Sequence, residues 1–385
     1  MMHSFNKPSV GQRIWALLRG FDGLLLLAVL VLAALGLLAM YSAGFDHGVR
    51  FTAHGRNMLL AAGVLFVAAQ VPPQHLMRVA VPLYALGLAL LVAVALFGIS
   101  KKGAQRWINL GVVVQPSELM KIAVPLTLAW WFQRREGRAG FLDFVLAFVL
   151  LAVPVALIVR QPDLGTAILV LAAGLVVIFF AGLSWKLVLP PLLLVALAIL
   201  GLLIFEDSLC ADGVNWPLLH EYQRQRVCTL LDPTRDPLGR GFHILQGMIA
   251  IGSGGLYGKG FMQGTQTHLE FLPERTTDFI FAAFSEEFGL VGNLVLIASF
   301  GFLVLRGLTI ASEAETLFAR LMAVSLSTIF FTYAFVNMAM VTGLLPVVGV
   351  PLPFISYGGT ALVTLGLALG MLMSIARFGR PLRTD

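Results

Sequence analysis

Residues 23–40 read GLLLLAVLVLAALGLLAM, an uninterrupted stretch without a charged side chain. A helix needs about 20 predominantly apolar residues to cross the hydrocarbon core of a bilayer, so this stretch predicts a membrane-spanning helix. Lys7, Arg13 and Arg19 precede the stretch, and further apolar stretches follow it. This context indicates an uncleaved first helix rather than a secretory signal peptide.

Similar apolar stretches recur along the rest of the chain. The longest, from Leu321 to Ala376, contains no charge and is too long for one crossing. Glycines and prolines between residues 343 and 353 interrupt it, which predicts two spans separated by a break. We therefore predict an all-α polytopic membrane protein with ten transmembrane helices in a single domain, residues 1–385. The predicted spans are 23–40, 57–72, 79–98, 117–133, 143–159, 164–182, 186–205, 279–305, 321–342 and 354–376.

The composition of the chain agrees with a membrane protein. Hydrophobic residues make up 58% and charged residues 12%, with a mean hydropathy of +0.90, whereas soluble proteins carry about 25% charge. The 26 Lys and Arg exceed the 20 Asp and Glu, but they form no basic patch, which excludes nucleic acid as a partner. Cys210 and Cys228 lack CxxC and zinc-ligand spacing, which disfavours a thiolate metal or redox centre. A disulfide between them and two free thiols are equally allowed.

The distribution of Lys and Arg predicts the orientation of the chain. With the N-terminus inside, thirteen bases lie in cytoplasmic segments and six in the short outer connections, so we expect both termini in the cytoplasm. The remaining connection, residues 206–279 between helices 7 and 8, is long and polar and is predicted to be a large extracytoplasmic loop. Within this loop, residues 241–251 are apolar but too short to span, which predicts a re-entrant or interfacial helix.

A glycine-rich stretch in this loop, IGSGGLYGKGF at residues 251–261, is a candidate phosphate-binding loop. A Walker A motif needs glycine where Ser253 stands and Ser or Thr where Gly260 stands. The dinucleotide fingerprint needs glycine where Tyr257 stands, so both motifs fail. We instead predict tight turns and close backbone packing.

Charged residues at the predicted outer membrane face are the first candidates for a functional site. Glu118 and Lys121 are three residues apart on one helix face and can pair, either as a structural ion pair or as the wall of a polar cavity. Arg56, Arg106, Lys121 and Arg160 recur at the same level. A lone arginine at a helix end commonly only extends to water, but together these four predict an electropositive pocket suited to phosphate or pyrophosphate.

Acidic residues mark the start of the eighth span. Thr276 or Thr277 is expected to cap this helix, which places Asp278 in its first turn. Asp278 is then either a favourable charge at a helix start or a carboxylate at the mouth of the cavity, able to act as general base or to hold a metal ion. Glu286 and Glu287 lie deeper and need partners that the sequence does not identify.

Six motifs along the chain, taken together and in order, resemble the SEDS family of cell-wall polymerases over residues 20–376. Arg275 in LPER is similar to the RodA branch of the family rather than to the FtsW branch, whereas Thr276 departs from the histidine that the family commonly has. The motifs are GAQRW (103–107), QPSELMKIA (115–123), QPDLGTA (161–167), LDPTRDPLGRGFHILQGMIAIGSGGLYGKG (231–260), GTQTHLEFLPERTTDFIF (264–281) and LPVVGVPLPFISYGGT (345–360).

The resemblance implies a peptidoglycan glycosyltransferase in the bacterial cytoplasmic (inner) membrane. It would polymerise lipid II, by inversion, during cell elongation and cell-shape maintenance, with its active site facing the periplasm or exterior. Asp278 would be catalytic, with Mg²⁺ or Mn²⁺ as a divalent cation that Asp278 also binds, and no organic cofactor is implied. A class B penicillin-binding protein would be the partner, because the chain has no transpeptidase motif of its own. The substrate-binding residues implied are Arg56, Arg106, Glu118, Lys121, Arg160, Asp163 and Ser356.

Two other functions use the same features. A lipid II flippase or transporter would also need a polar cavity, but no internal repeat is evident in the pattern of spans. A scaffold that recruits the penicillin-binding protein would leave the intramembrane charges without a purpose. Catalysis is the prediction that accounts for most of the residues.

Overall fold

The computed structural model describes residues 20–45, 48–101, 104–109, 113–211, 214, 221–237, 239, 241–272 and 274–378. Part of the predicted orientation concerns bases outside these ranges, namely Lys7, Arg13, Arg19, Lys102, Arg380 and Arg383.

Helices make up about three quarters of the described chain, as predicted for an all-α fold. In chain order they are α1 Gly23–Ala43, α2 Gly48–Ala69, α3 Pro73–Phe97, α4 Pro116–Gln133, α5 Phe141–Arg160, α6 Leu164–Phe180, α7 Trp185–Ile204, α8 Glu206–Leu209, α9 Glu221–Leu231, α10 Phe242–Gly254, α11 Thr265–His268, α12 Ile280–Glu313, α13 Leu317–Val341 and α14 Gly359–Phe378, with a 3₁₀ turn at Pro233–Arg235.

Eight of these helices are long and apolar enough to cross a membrane: α1, α2, α3, α5, α7, α12, α13 and α14. Helix α6 is apolar but has 17 residues, and α4 has 18 residues that include Glu118 and Lys121. The polytopic helical architecture is confirmed, while the count of ten spans and the single-domain organisation stay predictions.

Close packing between α2 and α14 depends on two glycines of α14. A Cβ atom at Gly366 would lie 2.4 Å from the carbonyl oxygen of Ala61, and one at Gly370 would lie 2.5 Å from that of Leu65. Small residues of this kind let helix backbones approach closely in membranes. Helices α4 and α13 lie at the centre of the bundle, whereas none of the residues of α7 is buried.

The connection between α7 and α12 defines one end of the bundle, here called the loop end. Within it, α10 packs along α12, from Phe279 beside Gly247 to Ser285 beside Gly254. This helix contains residues 242–251 of the apolar stretch 241–251, whose re-entrant or interfacial position in a membrane stays a prediction. Cys210 and Cys228 form a disulfide that joins the end of α8 to α9.

The glycine-rich stretch 251–261 includes the end of α10 and makes the close backbone packing that the sequence predicts; its packing partner is α12. Gly258 has φ +80°, and a Cβ there would lie 2.0 Å from the carbonyl oxygen of Glu287. The backbone N–H groups of Lys259 and Gly260 donate to the carbonyls of Glu286 and Glu287 at 3.0 Å. The loop therefore supplies partners to a turn of α12 that ends at a helix interruption at Gly289.

A small antiparallel sheet at the loop end was not predicted from the sequence. It consists of β1 Ile99–Lys101, β2 Ala104–Asn109 and β3 Val113–Val114, in that order. Ile99 pairs with Trp107, and Ile108 pairs with Val114. The sheet connects α3 to α4 and carries Arg106 to the edge of a cavity.

Candidate functional site

A polar cavity of about 290 Å³ lies at the loop end, between residues that are distant in the sequence. Strand β2, the first turns of α4 and α6, segment 274–278, helix α13 and segment 349–361 all contribute to its walls. The structure brings five of the predicted site residues to this cavity: Arg106, Glu118, Lys121, Asp163 and Asp278.

Three predicted substrate-binding residues do not line the cavity. Arg56 and Arg160 have exposed side chains. Because α2 begins at Gly48, Arg56 lies about two turns inside the helix and not at its start as the sequence suggests. The hydroxyl of Ser356 accepts from the N–H of Leu352 at 2.8 Å and donates to the carbonyl of Thr277 at 2.7 Å. Ser356 therefore supports the cavity wall from behind, and substrate binding by these three residues stays a prediction.

Lys121 is paired inside the protein. Its side chain is only 2% exposed, and Nζ lies 2.6 Å from Oε1 of Glu118 and also donates to the hydroxyl of Tyr333. Both interpretations of the Glu118 and Lys121 pair therefore apply, because the pair is an ion pair that also forms part of a cavity wall. Oε2 of Glu118 is buried and has no hydrogen-bond partner among the described residues. This oxygen therefore has unused acceptor capacity at the cavity wall.

Asp163 holds two helix starts together. It is the N-cap of α6, where Oδ1 accepts from the N–H of Thr166 at 3.3 Å. Its Oδ2 accepts from the side chains of Gln115 at 2.9 Å and Ser117 at 3.1 Å, which lie at the start of α4. Arg106 approaches Oδ1 at 3.7 Å and thereby connects β2 to the same carboxylate. Most of the acceptor capacity of Asp163 is used in building the cavity.

The net charge of the cavity lining is negative, whereas the sequence predicted an electropositive pocket. Two cations stand against four carboxylates, which gives a formal charge of 2 − 4 = −2 for the described lining residues. The cations are Arg106 and Lys121, and the carboxylates are Glu118, Asp163, Glu274 and Asp278. An anionic ligand would therefore need additional positive charge in order to bind here.

The segment before α12 forms a turn. The prediction that Thr276 or Thr277 caps this helix is therefore wrong. The backbone N–H groups of Thr277 and Phe279 both donate to the carbonyl of Glu274 at 3.1 Å, and Phe279 occupies the N-cap position without a side-chain bond. The hydroxyl of Thr276 accepts from Arg50 at 2.7 Å, and that of Thr277 donates to the carboxylate of Glu274 at 2.7 Å. Asp278 thus precedes the helix and lines the cavity from a turn.

Several lining residues were not singled out from the sequence. Glu274 lies in a quoted motif but was not assigned a role, and Tyr333 lies within the long uncharged stretch. A lone tyrosine in the middle of an apolar helix was the available signal for Tyr333, since a buried hydroxyl needs a partner.

The fit of a divalent cation depends on Glu274 and Asp278, two carboxylates that line the same cavity. Within the described ranges, no group of three or more His, Cys, Asp or Glu could hold a metal ion. Magnesium is commonly bound by one or two carboxylates, with phosphate oxygens and waters completing its coordination. The two carboxylates therefore fit a cation whose remaining ligands are waters and oxygens of a bound phosphate compound.

Comparison with known sequences gives matches over nearly the whole chain. A family model described as cell cycle protein, for FtsW, RodA and SpoVE, matches residues 22–380. The chain is 50% identical over 354 residues to the peptidoglycan glycosyltransferase MrdB of Escherichia coli (strain K12), covering 91% of each chain. It is 35% identical over 369 residues to the probable peptidoglycan glycosyltransferase FtsW of Geobacter metallireducens, covering 92% of this chain and 94% of the relative.

Comparison with solved structures also gives matches over nearly the whole chain. A chain from a study of how a peptidoglycan synthase complex coordinates polymerization and crosslinking aligns with a TM-score of 0.75 at 34% identity, covering 95% of this chain and 99% of that chain. The crystal structure of the Rod shape determining protein RodA of Thermus thermophilus aligns with a TM-score of 0.68 at 28% identity, covering 95% and 98% of the two chains.

Proposed function

Because this chain belongs to the FtsW, RodA and SpoVE family, the SEDS family, we propose that it polymerises lipid II into glycan strands for cell elongation and cell-shape maintenance. It is a peptidoglycan glycosyltransferase of the RodA branch, with 50% identity to MrdB over 91% of both chains. The observation that carries the proposed mechanism is the cavity that Asp278 lines together with Arg106 and Lys121.

In the proposed mechanism, Asp278 is the general base. A sugar hydroxyl is a poor nucleophile at neutral pH, so a carboxylate that accepts its proton accelerates attack on the anomeric carbon of the donor. An α-linked donor and a β-linked polymer require one inverting displacement, with one base and no carboxylate nucleophile. Arg106 and Lys121 stabilise the departing pyrophosphate.

The negative formal charge of the lining supports a cation requirement. Asp278 and Glu274 would hold Mg²⁺ or Mn²⁺ jointly with the substrate. When bound, the cation supplies the positive charge that neutralises pyrophosphate. Asp278 then either accepts the proton directly or orients the attacking hydroxyl.

The loop end is proposed to face the periplasm or exterior of the bacterial inner membrane, with both termini in the cytoplasm. Eight of the bases assigned to the cytoplasmic side are described, and all lie towards the opposite end of the bundle. They are Arg78, Arg134, Arg135, Arg138, Lys186, Arg306, Arg320 and Arg377.

A class B penicillin-binding protein is proposed as the partner that supplies crosslinking. The solved peptidoglycan synthase complex coordinates polymerization and crosslinking, and this chain aligns with one of its chains over 95% of its length. An apolar groove of about 510 Å³ lies between α12 and α13 and is lined by residues such as Phe281, Phe335 and Met338. A transmembrane helix of the partner would bury these side chains.

The decisive experiment is incubation of the purified protein with labelled lipid II and separation of the products on a gel. Glycan ladders from the wild type, absent with Asp278→Asn prepared in parallel, are expected. The parallel variant controls for a contaminating polymerase. Movement of lipid II across vesicle membranes without ladders would replace the proposal with a flippase. Stable binding of the partner without either activity would indicate that the protein is a scaffold.

A further inference from the structure

Three successive backbone carbonyls in the turn before α12 each accept a hydrogen bond from α13 or from the segment between α13 and α14. The donors therefore come from a part of the chain that is more than 50 residues away. The bonds run from the N–H of Tyr357 to Thr276 at 2.8 Å, from Oγ of Ser356 to Thr277 at 2.7 Å and from Nδ2 of Asn337 to Asp278 at 3.1 Å.

Asn337 differs from the other two donors because it lies on α13, outside segment 349–361, and binds both walls around the carboxylate of Asp278. Its Nδ2 also donates to the carbonyl of Val350 at 2.7 Å. The neighbouring Gly349 has φ +72°, and a Cβ there would lie 3.6 Å from Oδ2 of Asp278. One side-chain amide thus connects the backbone of Asp278 to the wall that its carboxylate lies beside.

The surroundings of Asn337 show that the amide is unusual for a core position. The residue has no solvent exposure, and its Oδ1 has no hydrogen-bond partner among the described residues. A buried acceptor without a partner destabilises the folded state, so an apolar residue would be expected here if packing were the only requirement. The two bonds from Nδ2 are what distinguish asparagine from such a residue.

We infer that Asn337 is a positioning residue that sets the location of the Asp278 carboxylate in the cavity. This inference rests on the proposed role of Asp278. The bond to the carbonyl of Asp278 restricts rotation of the following peptide group, and the bond to Val350 holds the facing wall at a constant separation. A displacement of about 1 Å in a reacting group can reduce a rate about 100-fold.

The test compares Asn337→Ala with Ser325→Ala in the lipid II polymerisation assay. Ser325 lies on the same helix, is also fully buried, and donates to the carbonyl of Ala173 at 3.0 Å, away from the cavity. We expect Asn337→Ala to lower kcat about 10- to 100-fold with less than about a threefold change in KM. Ser325→Ala should keep wild-type kcat. The milder Asn337→Ser retains one donor and should give an intermediate kcat, which keeps the test valid if the alanine variant fails to fold.

A double variant separates positioning from a general structural effect. In Asp278→Glu the carboxylate is already misplaced, so adding Asn337→Ala should lower kcat by a smaller factor than it does in the wild type. Independent structural damage would multiply the two losses. The inference is overturned if both Asn337 variants keep kcat within twofold of the wild type, or if the losses multiply. Absence of ladders from the wild type would instead overturn the proposed function.

Discussion

The ammonium nitrogen of Lys259 lies 2.7 Å from Oε1 of Glu286, a carboxylate with no exposure to solvent. Thr265, the N–H of Gln266 and Thr267 donate to the same carboxylate at 2.9–3.3 Å. These bonds attach the loop after α10 to α12 at Glu286, which lies eight residues beyond Asp278. They also supply the partners that the sequence left unidentified for Glu286, while the hydroxyl of Ser42 donates to the neighbouring Glu287.

Replacement of this lysine tests the buried pair. Lys259→Met leaves the carboxylate of Glu286 buried without its cation, and we expect a loss of about 3 kcal/mol in stability. The neutral donors remain, which keeps the loss at the lower end of the range for broken buried pairs. Thermal unfolding in detergent should show a lower Tm. Lys186→Met, at an exposed position, is the control, and an equal Tm for the two variants would contradict the expectation.

The glycine stretch gives a second stability prediction. Gly258→Ala should strongly destabilise the protein, because the new Cβ would collide with the carbonyl of Glu287 and the residue has φ +80°. Gly252→Ala, within α10 and with open space around the new Cβ, should have little effect. Expression level and Tm of the two variants check this, and a stable Gly258→Ala would show that the loop is not packed on α12 as described.

Asp278 carries the central prediction on catalysis. Asp278→Asn keeps the size of the side chain but removes its charge, so it should abolish glycan ladders while membrane insertion and partner binding persist. Asp278→Glu should retain little activity, because the extra methylene misplaces the carboxylate. Ladders at the wild-type rate from the asparagine variant would move the search for the base to Glu118 or Asp163.

Chelation tests the cation. Because the described cavity lining has a formal charge of −2, binding of pyrophosphate should depend on a divalent cation. Excess EDTA should stop polymerisation, and addition of Mg²⁺ or Mn²⁺ should restore it. Undiminished ladders in EDTA would mean that Arg106 and Lys121 alone are sufficient for the leaving group.

The disulfide can be checked by mass spectrometry. Cys210 and Cys228 are paired, with Cα atoms 5.6 Å apart, and the described residues include no free cysteine. The native protein should therefore resist alkylation and take up two alkyl groups after denaturation and reduction. Two alkylated cysteines without reduction would show that the thiols are free.

The site was predicted only in part, and the reason lies in distance along the chain. Glu118 and Lys121 are three residues apart, so their pairing follows from helix geometry alone. Tyr333, which completes their arrangement, lies 212 residues from Lys121, and no local pattern identifies it. Arg56 and Arg160 have the same residue type and apparent depth as Arg106, yet only Arg106 is brought to the cavity, by a sheet that the sequence did not predict.

The sequence by itself determined the class of the protein and its family. Apolar stretches of membrane-spanning length force helices, because backbone polar groups must be satisfied within each segment in lipid. Only the tertiary structure decided how the ends of those helices meet. The turn at residues 274–279, the bonds from Asn337 and the charge of the cavity depend on contacts between segments far apart in the chain. Such contacts are selected by packing and hydrogen-bond satisfaction over the whole bundle, so no single stretch of sequence specifies them.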